Sequence, residues 1–119
     1  MQTTRLRTIQ QPSKLQELLD ALLASSYFIV PQGAERIFDV SALPSRLPQA
    51  AARAERNRLA WSAWGDGHRA WLYTAELSLP KSRERGRPVL DLRRYEEDGS
   101  LESCSTWVSR DSKRWDQTV

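Results

Sequence analysis

Leucines near the N-terminus follow the spacing of an α-helix. Leu15, Leu19 and their neighbours recur three and four positions apart, which places them on one helix face. Ser13 followed by Gln16 fits a capping box, in which the hydroxyl and the amide satisfy free backbone N–H groups at the start of a helix. We therefore predict an amphipathic helix over residues 12–25.

The segments around this helix carry weaker patterns. The polar residues 1–11 indicate a loose N-terminal arm. Residues 27–30 and 36–40 are short β-favouring runs on either side of a Pro-Gln-Gly turn. Residues 41–58 predict a connector and a short helix, whose apolar face would be mostly alanine. Because alanine buries little area, we expect this helix to dock weakly.

From residue 59 the apolar pattern changes to every second residue, as in strands. The Gly-Asp-Gly turn at 65–67 predicts a hairpin with a three-residue loop. In that register Trp61 lies opposite Trp71, so the aromatic side chains share one face of the sheet.

A second hairpin turns at a Glu-Asp-Gly sequence. With a three-residue loop, Arg94 lies opposite Glu102 and Tyr95 opposite Leu101. A two-residue loop would instead place Arg94 opposite Ser103 and turn the second strand over. The charge pair between Arg94 and Glu102 favours the first register.

These elements predict an α+β fold in which the N-terminal helix packs on one face of a curved, mainly antiparallel four-stranded meander over residues 59–108. A short second helix is compatible with it. Residues 109–119 form a polar tail that either folds back on the sheet edge or stays loose. We expect residues 1–119 to be a single domain. The predicted core face of the sheet consists of Trp61, Trp71, Tyr73, Ala75, Leu77, Leu90, Leu92 and Cys104.

The other face of the predicted sheet is polar in its middle and is a candidate ligand-binding surface. Its residues are Thr74, Glu76, Asp91, Arg93, Ser103 and Ser105. Glu76 and Asp91 lie directly opposite each other, which destabilises a sheet unless a cation or ligand intervenes. The simpler interpretation is a solvated face on which Arg93 bridges both acids.

The connector between the hairpins is a candidate anion or nucleic-acid site. Its basic residues are Lys81, Arg83, Arg85 and Arg87, with Glu84 as the single acid among them. Such a loop could follow a phosphate backbone. The motifs of zinc fingers, helix-turn-helix proteins and phosphate-cradling glycine loops are absent from the sequence.

Composition narrows the chemistry further. The 119 residues include 18 basic and 15 acidic ones, and arginine far outnumbers lysine, as GC-rich bacterial genomes produce. One cysteine and one histidine argue against a disulfide and a thiolate metal cluster, so we expect neither a cofactor nor a metal. A Cys–His catalytic pair is disfavoured because His68 lies at the turn of the first hairpin and Cys104 in the middle of a strand of the second. We see neither a signal peptide nor a membrane span in the sequence and expect a cytoplasmic protein.

The sequence therefore favours a small non-catalytic bacterial accessory domain. Its expected partner is another protein or a second copy, bound through an exposed sheet face or edge. Two alternatives stay open: an arginine-rich nucleic-acid-binding regulator that uses residues 81–87, and a small-molecule or enzymatic site at Glu76, Asp91 and Arg93.

Overall fold

A computed structural model describes residues 12–25, 30–78, 88–109 and 115–117. Its elements are α1 (Pro12–Ser25), β1 (Glu35–Ile37), a 3-10 turn (Val40–Ala42), α2 (Leu47–Arg56), β2 (Ala60–Gly65), β3 (Ala70–Ser78), β4 (Val89–Tyr95), β5 (Leu101–Ser109) and β6 (Trp115–Gln117). The strands form one antiparallel sheet in chain order. The fold is thus α+β as predicted, with six strands rather than four, because short strands extend both edges.

The helix α1 covers one face of β2 and β3. Leu15, Leu19 and Leu22 are buried there and join a core that includes Tyr73 and Leu92. The predicted leucine face is therefore the face that packs on the sheet. Removal of this apolar area from water stabilises the arrangement.

The helix α2 packs on the opposite face of the same two strands. Leu47, Ala51 and Ala54 are buried on its inner side. Leu47 and Ala51 share a second core with Leu72 of β3. The two helices thus enclose one end of the sheet from both sides.

The turn between β2 and β3 differs from the prediction. The Asp66 carboxylate accepts hydrogen bonds from the backbone N–H groups of His68, at 2.9 Å, and Arg69, at 2.7 Å. This arrangement closes a loop over residues 66–69, one residue longer than the predicted 65–67. Trp61 consequently lies opposite Thr74 and not opposite Trp71. The placement of Trp61 on the α1 side was wrong, because an odd shift in register turns a strand over.

The hairpin of β4 and β5 contains a β-bulge. Tyr95 lies opposite Leu101 as predicted, but beyond that pair the register shifts and Arg94 lies opposite Ser103. Glu102 is the extra residue of the bulge. The shift places Cys104 opposite Arg93 and leaves it exposed, so the prediction of a buried Cys104 facing Leu92 was wrong.

Candidate functional site

The structure divides the six predicted ligand-binding residues between the two faces of the sheet. Thr74, Glu76, Asp91 and Arg93 share the α2 side, as expected from the confirmed pairing of β3 with β4. Ser103 and Ser105 lie on the α1 side, since the bulge turned β5 over; their predicted placement was wrong.

On the α2 side, the C-terminal end of β3 together with β4 and β5 forms a surface beyond the helix that we call the open face. It consists of Glu76, Asp91, Arg93, Tyr95, Leu101, Cys104 and Thr106. Thr74 is 4% exposed and is therefore part of the interior rather than of this surface.

Acidic and basic side chains are neighbours on the open face. Glu76 lies opposite Asp91, as predicted, and Asp91 accepts a hydrogen bond from the Thr106 hydroxyl at 3.2 Å. A hydrogen bond to Tyr95, together with the negative charges of Asp91 and Glu76, raises the pKa of Arg93. Arg93 is exposed, and the ion pairs among the described residues do not include one between Arg93 and either carboxylate. The simpler interpretation, in which Arg93 bridges both acids, stays a prediction.

The other half of the open face combines an arginine, an aromatic ring and an exposed leucine. Arg93 and Tyr95 are two residues apart on β4 and point to the same side. Leu101, the cross-strand neighbour of Tyr95, is 51% exposed. Arginine and tyrosine are the residue types enriched at the centres of protein interfaces.

On the α1 side, a cleft of about 290 Å³ opens beyond the helix. Its lining residues are Tyr73, Leu92, Arg94, Ser103, Cys104, Ser105 and Gln117. The Ser105 hydroxyl accepts a hydrogen bond from the Trp107 indole at 3.0 Å, which engages it within the protein.

A charged network borders this cleft. Arg94 Nε lies 2.6 Å from Glu102 Oε1, and Arg94 Nη1 donates to the Tyr73 hydroxyl at 3.5 Å. Arg69 donates to Glu102 at 3.3 Å and to Glu96 at 2.8 Å. Burial opposes the charge of Arg94, but Tyr73 and Glu102 outweigh it and raise the pKa of Arg94. The ion pair predicted between Arg94 and Glu102 therefore forms, although their backbones are not paired, because the bulge directs Glu102 toward Arg94.

The cleft and the contacts of Arg69 were not predicted, whereas the proximity of Arg94 to Glu102 was. The cleft depends on Ser103 and Ser105, which the prediction placed on the other face of β5. The feature of the sequence that pointed to this network was the opposite charge of Arg94 and Glu102. In the structure their side chains form an ion pair at a β-bulge, and their backbones are not paired.

A second cleft, of about 380 Å³, lies beside the β2–β3 turn. His68 and Arg69 line it together with Glu35 and Glu97. The Glu97 carboxylate accepts a hydrogen bond from the backbone N–H of Ala70 at 3.0 Å. Glu97 thus connects the β4–β5 turn to the start of β3.

The predicted anion or nucleic-acid site lies outside the residues that the structure describes. Lys81, Arg83, Arg85 and Arg87 are outside the described residues. Within the described ranges, no group of three or more His, Cys, Asp and Glu side chains is placed to hold a metal ion. Neither helix in this part of the chain is long and apolar enough to cross a membrane.

Comparison with known proteins found no matching family model, no matching curated protein and no matching solved structure. The functional proposal therefore rests on the surfaces of this chain.

Proposed function

We propose that this protein is a non-catalytic binding module whose open face docks a protein partner, and that this partner is a second copy of the chain. The observation that supports the proposal is the cluster of Arg93, Tyr95 and Leu101, in which Tyr95 is half-buried at the margin of the α2 core and Arg93 and Leu101 are exposed. These side chains offer a charged fork, an aromatic ring and apolar area within one small surface.

The charge pattern of the open face is self-complementary. Two carboxylates, Glu76 and Asp91, lie at one end, and Arg93 follows two residues after Asp91. A two-fold axis between these groups would bring Arg93 of each copy onto Asp91 of the other. Contacts between two copies around a two-fold axis have this reciprocal form.

A catalytic role for the same residues has less support. The acids and Arg93 lie on an outward-facing strand surface, where Glu76 and Arg93 are exposed to solvent. Acid–base catalysis by paired carboxylates depends on environments that separate their pKa values. A docking surface requires only complementary charge and apolar contact.

Charge reversal tests the proposal. We expect the wild-type chain to sediment as a dimer and Arg93→Glu to sediment as a monomer, because the introduced carboxylate would face the carboxylates of the other copy. The double variant Asp91→Lys with Arg93→Glu exchanges the two charges and should restore the dimer. Lys14→Glu, an equal change of charge on the exposed side of α1, is the matched control and should leave the dimer intact.

Cys104 supplies an independent readout, since it is the chain's single cysteine, is exposed and neighbours Arg93. A short bismaleimide should cross-link two wild-type chains and fail with Arg93→Glu. A monomeric wild-type chain, or a dimer that Arg93→Glu does not affect, would contradict the proposal.

A further inference from the structure

The outer side of α2 carries a set of arginines that the packing of the helix does not use. Leu47, Ala51 and Ala54 fix the buried side of α2. Residues on the opposite side of the helix are exposed, among them Gln49, Arg53 and Arg56. Arg46 at the N-cap and Arg58 just after the helix extend the same charged surface, and both are exposed. We call Arg46, Arg53, Arg56 and Arg58 the arginine stripe.

Among the described carboxylates, Asp98 lies close enough to Arg46 for the arginine charge to help lower the Asp98 pKa, whereas Arg53, Arg56 and Arg58 are in no ion pair of the described residues. The ion pairs among the described residues involve Arg36, Arg69 and Arg94, and none involves the stripe. Glu55, the single acid of α2, accepts a hydrogen bond from the Trp61 indole at 3.1 Å and is thereby directed to the sheet.

The helix dipole accounts for only part of this arrangement. Arg53 and Arg56 lie in the last turn, where a positive charge is favourable. Arg46 lies at the opposite end, where the helix dipole disfavours a positive charge, and its side chain forms no capping hydrogen bond. The distribution of charge therefore does not follow from the needs of the helix.

Arg58 occupies a position at which glycine is the common residue. Leu59 N–H donates to the Ala54 carbonyl at 2.9 Å and Arg58 N–H to the Glu55 carbonyl at 3.1 Å, the hydrogen bonds of a Schellman C-cap. Arg58 adopts the left-handed conformation of that motif, with a φ of 60°. A side chain in this conformation costs free energy that glycine would avoid.

From these observations we infer that the arginine stripe binds the phosphate backbone of a nucleic acid. Arginine presents planar forks that match phosphate oxygens. Arg46 and Arg53 are separated by about 10 Å along the helix, given a rise of about 1.5 Å per residue, so the stripe can contact successive phosphates.

The composition of the stripe favours nucleic acid over an acidic protein. Between its arginines the exposed side of α2 offers Gln49 and Ala52 and lacks an aromatic or large aliphatic side chain. A protein interface requires an apolar centre, whereas backbone contacts to nucleic acid require mainly charge and hydrogen-bond donors. The expected binding is therefore independent of base sequence.

The test measures binding of the full chain to a short fluorescent DNA duplex across a salt series. We expect the logarithm of the association constant to fall linearly with the logarithm of the salt concentration. The double variant Arg53→Gln, Arg56→Gln should make that slope shallower by about 1.8, at about 0.9 per lost phosphate contact. Lys14→Gln on the other helix is the matched control and should leave the slope unchanged.

Arg58→Gly separates a binding role from a structural one. It should weaken duplex binding and at the same time raise the urea midpoint, because glycine relieves the left-handed conformation. A lower midpoint would show that Arg58 serves the fold and would count against the inference.

Two further results would overturn it. One is a duplex affinity that the Arg53→Gln, Arg56→Gln variant leaves unchanged. The other is tight binding to a polyglutamate peptide without binding to the duplex, which would assign the stripe to an acidic protein. Both results concern the arginine stripe and not the open face. Either of the two proposals can therefore be contradicted while the other holds.

Discussion

The side-chain amide of Gln16 on α1 makes two hydrogen bonds to the backbone of Trp61 on β2. Gln16 Nε2 donates to the Trp61 carbonyl at 2.8 Å, and Trp61 N–H donates to Gln16 Oε1 at 3.3 Å. The edge strand β1 pairs with β2 only from Ala63 to Gly65, so Trp61 lies beyond its end. Among the described residues, Gln16 thus takes the place of a neighbouring strand at this part of the β2 edge.

Gln16→Ala should destabilise the protein by about 1–3 kcal/mol, since each hydrogen bond contributes about 0.5–1.5 kcal/mol. Urea unfolding with an unchanged m-value measures the effect. Gln16→Glu retains the acceptor for Trp61 N–H but places a carboxylate oxygen against the Trp61 carbonyl and the Asp20 carboxylate, so it should also be less stable than the wild type at neutral pH. The exposed neighbour variant Glu17→Ala is the control, and equal stability of Gln16→Ala and Glu17→Ala would refute this role.

Leu47→Ala tests the packing of α2 on the sheet. Leu47 is fully buried against Leu72, so its truncation should cost about 2–5 kcal/mol. Val40→Ala, at an exposed valine outside the open face, should change stability by less than about 0.5 kcal/mol. Thermal or urea unfolding distinguishes the two, and a small effect at Leu47 would mean that α2 does not pack as described.

Asp66 should make the β2–β3 turn sensitive to acid. The backbone N–H groups of Arg69 and His68 lower the pKa of Asp66 below its ordinary value of 3.8. The ionised form is thus favoured by folding, and its contribution is present above pH 3.8 and lost as pH falls through the lower folded pKa. Wild type should be more stable than Asp66→Ala at neutral pH, and the difference should shrink in strong acid. A difference independent of pH would contradict this.

Tyr73 should ionise late in an alkaline titration. Burial raises the pKa of Tyr73 above 10.0, and the nearby Arg94 charge partly opposes the shift. Folding therefore favours the protonated phenol, whose contribution is present below pH 10 and lost as pH rises through the folded pKa. Difference absorbance against Tyr73→Phe identifies the Tyr73 signal. Arg94→Gln should raise the Tyr73 pKa further, and a decrease would exclude the proposed interaction.

The capping-box pattern gives no sign of the long-range contacts that Gln16 makes. Gln16 has the spacing from Ser13 that the motif requires, yet its amide bonds to Trp61 and to Asp20. The side chain of Ser13 lies outside the described part of the structure. A partner 45 residues away in the chain cannot be read from a four-residue motif.

The candidate site was predicted in part for a related reason. The pairing of Glu76 with Asp91 was confirmed, because alternation on β3 and β4 defined both faces. Ser103, Ser105 and Cys104 were placed on the wrong faces, because one bulge residue, Glu102, reverses every side chain that follows it.

Local chemistry in the chain was sufficient to establish the leucine face of α1, the order of the hairpins and the α+β class, since periodicity and turn residues act over a few positions. Long-range contacts decided the rest. The length of the 66–69 loop, the bulge at Glu102 and the docking of α2 depend on which backbone groups and core volumes meet across the sheet. Those contacts join residues that are far apart in sequence, and the energy of each contact depends on the assembled structure.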